Sequence, residues 1–492
     1  MLQSLKGRTA GTLKWNAIDR VASQLLYALT GVVLARLLSQ EDFGLVGAVL
    51  VFQAFASLLV DSGFSYALIQ RKRPSRVDYS TVLWFNLGVA VALYIILWFC
   101  APLIADCFQG DRRIVPLARV MFLTFILNAS AIVQTNRLVK RMDVRMVAIA
   151  NSIGLAAGAV VGIWLAMAGY GAWAIVWQSI ALSGVKSLVL WTTQRWRPRP
   201  VFSWKSLRGF AGIGSRMMFT SFLNTLFQNI YSFFIGNRVG LVSLGYYTQS
   251  DKWSKMGVMS IYQVVTSSFL PALSDVQDDP VRFRRVASKM TRFTAYLTFP
   301  ALIGLMAVAT PVFHMLFGTK WDPSIILFQL LLLRGVFTVL CGLYNNALLA
   351  LGHARAIMWL EVMRDAVALG ALAICFPYLA ETRGDDMVWG LTLLLWGQVA
   401  ASFLTWIATL TVTARKSGIS VGHMLLDLAP YAAQSCVIAP LMSAASLLSV
   451  HPALQLLAAC AGGGLLYLGI NKLAGSQVQA DLIDFVLRKK KL

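Results

Sequence analysis

The chain has 492 residues, of which 58% are hydrophobic and 13% charged, with a formal net charge of +22. That charged fraction is about half what a soluble protein of this size carries, which argues against an ordinary globular domain. Zinc-ligand spacing, a helix-turn-helix and RNP-like aromatic patterns are all missing, so the basic excess does not point to nucleic acid.

The hydrophobic residues fall in long blocks. In lipid every backbone N–H and C=O must be satisfied within the protein, so a block of roughly 20 apolar residues reads as a membrane-crossing helix. The ten-residue alternating segments of a membrane barrel are absent. The chain opens on about fourteen polar residues with no short apolar stretch and cleavage site, so no removable signal peptide is expected. Fourteen spans follow, at about 14–38, 43–69, 79–106, 114–136, 146–168, 171–194, 209–236, 243–272, 289–317, 323–350, 355–378, 385–413, 422–449 and 452–473. The fold class is all-α, a polytopic membrane protein. Span 14 is almost featureless and is expected to face lipid. Residues 476–492 alternate apolar and polar and end Arg488, Lys489, Lys490, Lys491, a basic amphipathic tail suited to lie at an anionic membrane surface.

The breaks between spans alternate in charge. One side holds 29 basic residues, in clusters such as Arg71, Lys72, Arg73 and Arg76, then Arg137, Lys140, Arg141 and Arg145, then Arg282, Arg284, Arg285, Lys289 and Arg292. The other holds 6: Arg36, Arg112, Arg113, Arg238, Lys320 and Arg383. Basic loops stay inside, which places both termini in the cytoplasm. A weak repeat runs at an offset of about 200 residues: Arg36 to Gly44 after span 1 matches Arg238 to Gly245 after span 7. The expected organisation is therefore 1–208 (spans 1–6), 209–416 (spans 7–12), 417–475 (spans 13–14) and the tail 476–492, with two six-helix repeats that rock about a central site.

Several spans carry polar stripes. Gln53, Ser57, Asp61 and Ser65 recur every four residues in span 2, as do Arg216, Thr220, Asn224 and Gln228 in span 7. Span 1 adds Asn16, Arg20, Gln24 and Tyr27, and span 8 adds Asp251, Lys252 and Lys255. Steps of four keep side chains on one broad helix face, and a polar face is costly against lipid, so these four helices are expected to line a shared interior. The charges lean positive: Arg20, Arg216, Lys252 and Lys255, joined by Arg334 and Arg364 from spans 10 and 11. Each cation at a helix centre costs roughly 2.5–3.5 kcal/mol even on lenient scales. The expected purpose is an anion-binding cavity, with guanidinium groups suited to bidentate phosphate contact. Its polar lining is Gln24, Gln53, Ser57, Asn224, Gln228 and Asp251. Local pairing or snorkelling of these charges is the alternative. Asp61, and the pair Glu361 and Asp365 flanking Arg364, are candidate ion-coupling sites, with structural ion pairing as the alternative.

The remaining chemistry-bearing residues give little. Six cysteines form no CxxC pair and read as buried free thiols, and four histidines show no metal spacing, so no metal or cofactor is expected. Outer breaks of about 4 to 9 residues leave no room for a catalytic lobe, and no Ser/His/Asp set or DxD pair stands out.

The stretch from Leu34 to Lys72, LARLLSQEDFGLVGAVLVFQAFASLLVDSGFSYALIQRK, resembles the first-repeat signature of bacterial polysaccharide exporters of the Wzx type. LGYYTQSDKW (Leu244 to Trp253), FLPALSDVQDDPVRFRR (Phe269 to Arg285) and the run from Leu297 to Leu331 resemble the matching second-half signatures. The resemblance covers nearly the whole chain and implies a non-enzymatic transporter of the multidrug/oligosaccharidyl-lipid/polysaccharide (MOP) superfamily. Such a protein is expected to flip undecaprenyl-diphosphate-linked oligosaccharide across the bacterial inner membrane by alternating access, for O-antigen, capsule or exopolysaccharide assembly. H+ or Na+ as coupling ion and contact with polymerase or assembly proteins are implied in the same way. A peptidoglycan-precursor (lipid II) flippase and a multidrug efflux transporter are the alternatives within the superfamily. An integral-membrane polysaccharide polymerase or transferase is the alternative outside it. The cavity residues follow no family motif and rest on spacing alone.

Overall fold

A computed structural model describes residues 2–61, 63–379, 388–445 and 450–488, and these residues form helices and connecting turns without a strand. They fall into two compact units, Met1–Gly245 and Tyr246–Leu492.

The first unit contains α1 (Leu2–Leu37), α2 (Gln40–Asp61), α3 (Phe64–Gln70), α4 (Arg76–Cys107), α5 (Ile114–Met121), α6 (Leu123–Lys140), α7 (Val144–Met167), α8 (Trp173–Thr193) and α9 (Trp204–Arg238). Side chains fix several of the starts. Ser39 and Asp42 exchange hydrogen bonds at the head of α2: the Ser39 N–H donates to Asp42 Oδ2 at 2.9 Å, and the Asp42 N–H to Ser39 Oγ at 3.1 Å. Ser75 and Asp78 form the same reciprocal box on α4. The expected span 43–69 is broken between α2 and α3. Gly63 there has φ 66°, which favours glycine, and a Cβ on it would lie 2.3 Å from the Gly214 carbonyl of α9. α7 packs on α8 through Gly154, Gly158 and Gly162. A Cβ on Gly154 or Gly158 would come within 2.8 Å of an α8 carbonyl, so the two backbones approach closely.

α9 packs against α2, α3 and α4, and the unit extends through Gly245. The sequence repeat has a structural counterpart at its end. A Cβ on Gly44 would lie 1.8 Å from the Leu241 carbonyl, and one on Gly245 2.0 Å from the Gln40 carbonyl. The two repeat-matched glycines thus each admit the other segment's backbone.

The second unit holds most of α10 (Leu241–Ser274), then α11 (Pro280–Ala307), α12 (Ala309–Leu316), α13 (Asp322–Ala350), α14 (Ala354–Cys375), α15 (Trp389–Ser417), α16 (Val421–Ala444), α17 (Pro452–Leu473) and α18 (Gln477–Arg488). Asp279 caps α11, with Pro280 in the first turn where its missing N–H costs nothing. The expected span 289–317 bends by 63° between α11 and α12. Pro311 explains the break, because it has no N–H to donate to the Ala307 carbonyl. α17 exposes Leu454, Leu457 and Leu465, yet it is not featureless. Tyr467 donates to the Tyr296 carbonyl at 3.0 Å, and Asn471 to Gln434 at 2.7 Å. The amphipathic α18 docks on α11 through an ion pair of Lys289 and Asp481 at 2.7 Å.

Ten helices among the described residues are long and apolar enough to cross a membrane, eleven with the α11–α12 pair. Polar or charged residues keep α1, α9 and α14 below that standard, and counting them is compatible with the expected fourteen. The chain is a multi-pass membrane protein. Its six cysteines are unpaired, but only Cys375 is buried, and Cys436 and Cys460 are exposed, so the expectation of buried thiols holds for one alone. Cys100, Cys107 and Cys341 are half-buried.

Candidate functional site

In the first unit the polar stripes divide between packing and exposed surface. On α2, Gln53 turns inward and donates to Thr124 Oγ1 at 3.1 Å, whereas Ser57, four residues on, is exposed. Each step of four rotates a side chain by about 40° around the axis, enough to take one stripe from core to surface. Asp61 is half-buried and accepts from Ser65, whose hydroxyl in turn accepts from Asn136 Nδ2 at 2.8 Å. On α9, Asn224 and Gln228 are exposed and bonded to each other, Gln228 Nε2 donating to Asn224 Oδ1 at 3.1 Å. The side chain of Arg216 lies outside the described residues.

Arg20 on α1 is exposed and has no ion pair among the described residues, while Gln24 is half-buried. The adjacent Asp19 does not neutralise it. Its carboxylate faces inward, where Ser23 donates at 3.2 Å and Asn151 of α7 at 3.4 Å. Lys186 of α8 feels the same carboxylate. Sequence reasoning missed Lys186, and the signal was its position as a lone cation in an otherwise apolar span.

At the opposite, weakly basic end, Arg113 bridges Glu41 and Asp111, the latter at 2.6 Å. Arg113 and Asp111 lie in the connection between α4 and α5, and Glu41 in the first turn of α2. The Arg113 hydrogen bond holds the Asp111 carboxyl below the usual carboxylate range, against the opposing effect of partial burial.

The second unit treats its charges differently. Asp251 on α10 accepts an ion pair from Lys255 at 2.6 Å and lies 3.6 Å from Arg334 of α13. Arg334 also donates to Gln398 Oε1 of α15 at 2.5 Å, so one carboxylate and one amide hold three helices together. Lys252 instead stands over the Trp253 ring at 5.7 Å. On α14, Arg364 pairs with Glu361 at 2.5 Å and with Asp365 at 2.9 Å. The guanidinium therefore neutralises both carboxylates that the spacing had suggested for ion coupling. A further cluster, which the sequence reading did not single out, joins α11 to α16. Asp427 is held by Arg292 at 3.0 Å and by the Ser288 hydroxyl. Its signal was again a lone acid within an apolar span.

This combination of a helical membrane architecture and cationic groups inside helices agrees with the sequence relationships. Residues 33–326 match the family described as "Polysaccharide biosynthesis protein". The chain belongs to that family. The chain is 26% identical over 376 residues to the succinoglycan biosynthesis transport protein ExoT of Rhizobium meliloti, covering 76% of this chain and 75% of that relative. It is 27% identical to the teichuronic acid biosynthesis protein TuaB of Bacillus subtilis, covering 69% and 71%. It is 25% identical to the lipopolysaccharide biosynthesis protein WzxC of Escherichia coli, covering 75% and 76%. This member of the polysaccharide biosynthesis family also has the fold of the MOP transporters. It matches the lipid II flippase MurJ in an inward closed conformation with a TM-score of 0.71 at 15% identity, over 95% of this chain and 99% of that one. An inward-facing MATE-family transporter of the MOP superfamily matches with a TM-score of 0.61 at 16% identity, over 81% and 96%.

Proposed function

We propose that the protein moves an undecaprenyl-diphosphate-linked oligosaccharide across the bacterial inner membrane by alternating access, with both termini in the cytoplasm and no chemical transformation of its cargo. Family membership supports the polysaccharide pathway, and the observation that carries the ligand chemistry is Arg20. It is an exposed cation, unpaired among the described residues, on a helix whose neighbouring acid is turned away. A diphosphate supplies the missing charge, and a guanidinium meets phosphate oxygens in pairs. Arg216 and, in the second unit, Lys252 are the further cations assigned to the substrate, while Gln24, Ser57, Asn224 and Gln228 contact sugar hydroxyls. Lys255, Arg334 and Arg364 chiefly hold Asp251, Glu361 and Asp365 in place. The internal repeat supplies the two halves that alternate. Asp61, whose carboxylate meets hydroxyl rather than cation, is the favoured group for coupling to H+ or Na+. A cationic surface disfavours the organic cations of a multidrug transporter.

Complementation tests this reading. In a strain lacking its own copy, Arg20→Gln, Arg216→Gln and Lys252→Gln are expected to reach the membrane at normal levels, to lower cell-surface polysaccharide tenfold or more, and to leave lipid-linked repeat units inside. Asp61→Asn is expected to lose export with normal insertion. Normal export by all of the cation variants would overturn the assignment of the cationic contacts, and normal export by Asp61→Asn would remove it from coupling. Accumulation of lipid II instead of repeat units would move the substrate to peptidoglycan precursor.

A further inference from the structure

Arg137 of α6 is 8% exposed, an uncommon depth for a cation with no carboxylate beside it. Its guanidinium is stacked against Trp196 at 4.8 Å and Tyr79 at 5.5 Å, and those two rings lie 6.2 Å apart. Trp196 comes from the connection between α8 and α9, and Tyr79 from the first turn of α4, so three separate segments close this cage. Stacking satisfies the faces of the guanidinium but not the N–H groups around its edge. The Arg137 side chain makes no hydrogen bond or ion pair among the described residues, and its Nη1 is fully buried without a partner. The indole Nε1 of Trp196 is buried and unpartnered as well. Both are donors, so what the cage lacks is an acceptor.

The charge balance points the same way. Arg76 and Arg141 lie close enough for their charges to act on Arg137. Both are exposed, and neither has an ion pair among the described residues. Asp78, next to Tyr79 on α4, is already engaged by Arg71 at 3.2 Å, by the Ser206 hydroxyl at 2.5 Å and by the Ser75 N–H at 2.8 Å. Three arginines thus lie within electrostatic reach of one another, and none of them has an ion pair among the described residues. Water would supply an acceptor but no charge. A phosphate group supplies both, and planar guanidinium donors fit its oxygens. The depth also suits a headgroup. Arg137 is three residues, about 4.5 Å of helix, before the basic end of its candidate span.

We propose that Arg76, Arg137 and Arg141 form a binding site for a phosphate group, occupied by the phosphodiester of an anionic membrane lipid, at the basic end of the first unit. The site is separate from Arg20 and does not depend on the transported substrate. Its occupant ties α4, α6 and the α8–α9 connection together, so lipid composition sets the stability of this end of the protein.

The test uses the full chain purified in detergent, with its unfolding midpoint measured after addition of dioleoyl phosphatidylglycerol or dioleoyl phosphatidylcholine. Phosphatidylglycerol is expected to raise the wild-type midpoint by several degrees more than phosphatidylcholine. That excess should fall by half or more in Arg76→Gln/Arg141→Gln and vanish in Arg137→Gln. The exposed pair Lys72→Gln/Arg73→Gln, at the same end but outside the cage, should keep it. If Arg137→Gln fails to fold, the Arg76/Arg141 double variant decides alone, since both side chains are exposed. Inorganic phosphate at matched ionic strength separates the sources: a rise with phosphate alone, lost in the same variants, keeps the phosphate site but overturns the lipid occupant. Equal effects of the two lipids on wild type, or an excess undiminished in the double variant, overturn the site.

Discussion

Arg20 and Arg137, on α1 and α6 of the first unit, have no carboxylate within ion-pair distance among the described residues. Lys255, Arg334, Arg364 and Arg292 of the second unit each have one, at 2.5–3.6 Å. Part of the cause is visible along the helices. Asp251 precedes Lys255 by four residues and Glu361 precedes Arg364 by three, the spacings that bring side chains together on a helix. Asp19 stands next to Arg20 in sequence, but its carboxylate is turned toward Asn151. A cation supplied with its own acid holds helices together, and one left without an acid is available to an anion from outside. The two units should therefore respond in opposite ways to charge removal. In the first, loss of Arg20 should impair transport and leave stability nearly unchanged. In the second, loss of an acid should impair stability first.

The largest effect on stability is expected from Asp251→Asn. It removes the carboxylate from Lys255 and Arg334 together and leaves two cations facing each other across α10 and α13. Breaking a fully buried pair costs about 3–5 kcal/mol. Lys255 is 41% exposed, so solvent screening reduces the expected cost here to about 1–3 kcal/mol. The unfolding midpoint in detergent should drop by several degrees, and Asp251→Asn/Lys255→Gln should recover part of the loss. Arg20→Gln measured alongside should stay within about a degree of wild type. Equal destabilisation by the two single variants would break the comparison.

Arg364→Gln probes the same principle with a smaller effect. Glu361 and Asp365 would then face each other without the guanidinium that now bridges them at 2.5 and 2.9 Å. Arg364 and Glu361 are 42% and 43% exposed, which places the expected cost at roughly 1 kcal/mol. Removing one acid as well, in Arg364→Gln/Glu361→Gln, should restore most of the midpoint. If the double variant is no more stable than the single one, Arg364 is not acting as a neutralising bridge.

The helices themselves were legible because apolar blocks of span length have few alternatives in lipid. The breaks were less so. Gly63, just beyond α2, admits the Gly214 carbonyl, a contact between residues far apart in the chain. The membership of α9 in the first unit depends on which helices cover its faces, and no local pattern records that. Of the striped polar residues, Ser57, Asn224 and Gln228 are exposed. The stripes did not distinguish Gln53, which is turned to Thr124, from Ser57 one step along. Arg137 illustrates the opposite failure. It sits in a basic cluster that reads as a topology signal, and the rings that enclose it are supplied by positions 79 and 196.

The smallest expected effect tests one ion-paired group of the first unit. Arg113 and Asp111 lie at the weakly basic end, outside the spans, with Glu41 in the first turn of α2, and Arg113 is 57% exposed. Because the Asp111 carboxyl is held below its ordinary range in the folded protein, its contribution is complete above the unfolded value, about 3.8, and is lost as pH falls through the lower folded value. The stability difference between wild type and Arg113→Gln should accordingly be constant from neutral pH down to about pH 5, and shrink only below about pH 4. The Arg20→Gln comparison should show no such step in that range, since Arg20 has no carboxylate partner to titrate. A step of equal size at Arg20 would mean that an acid reaches it after all, and that the first unit neutralises its helix cations as the second does.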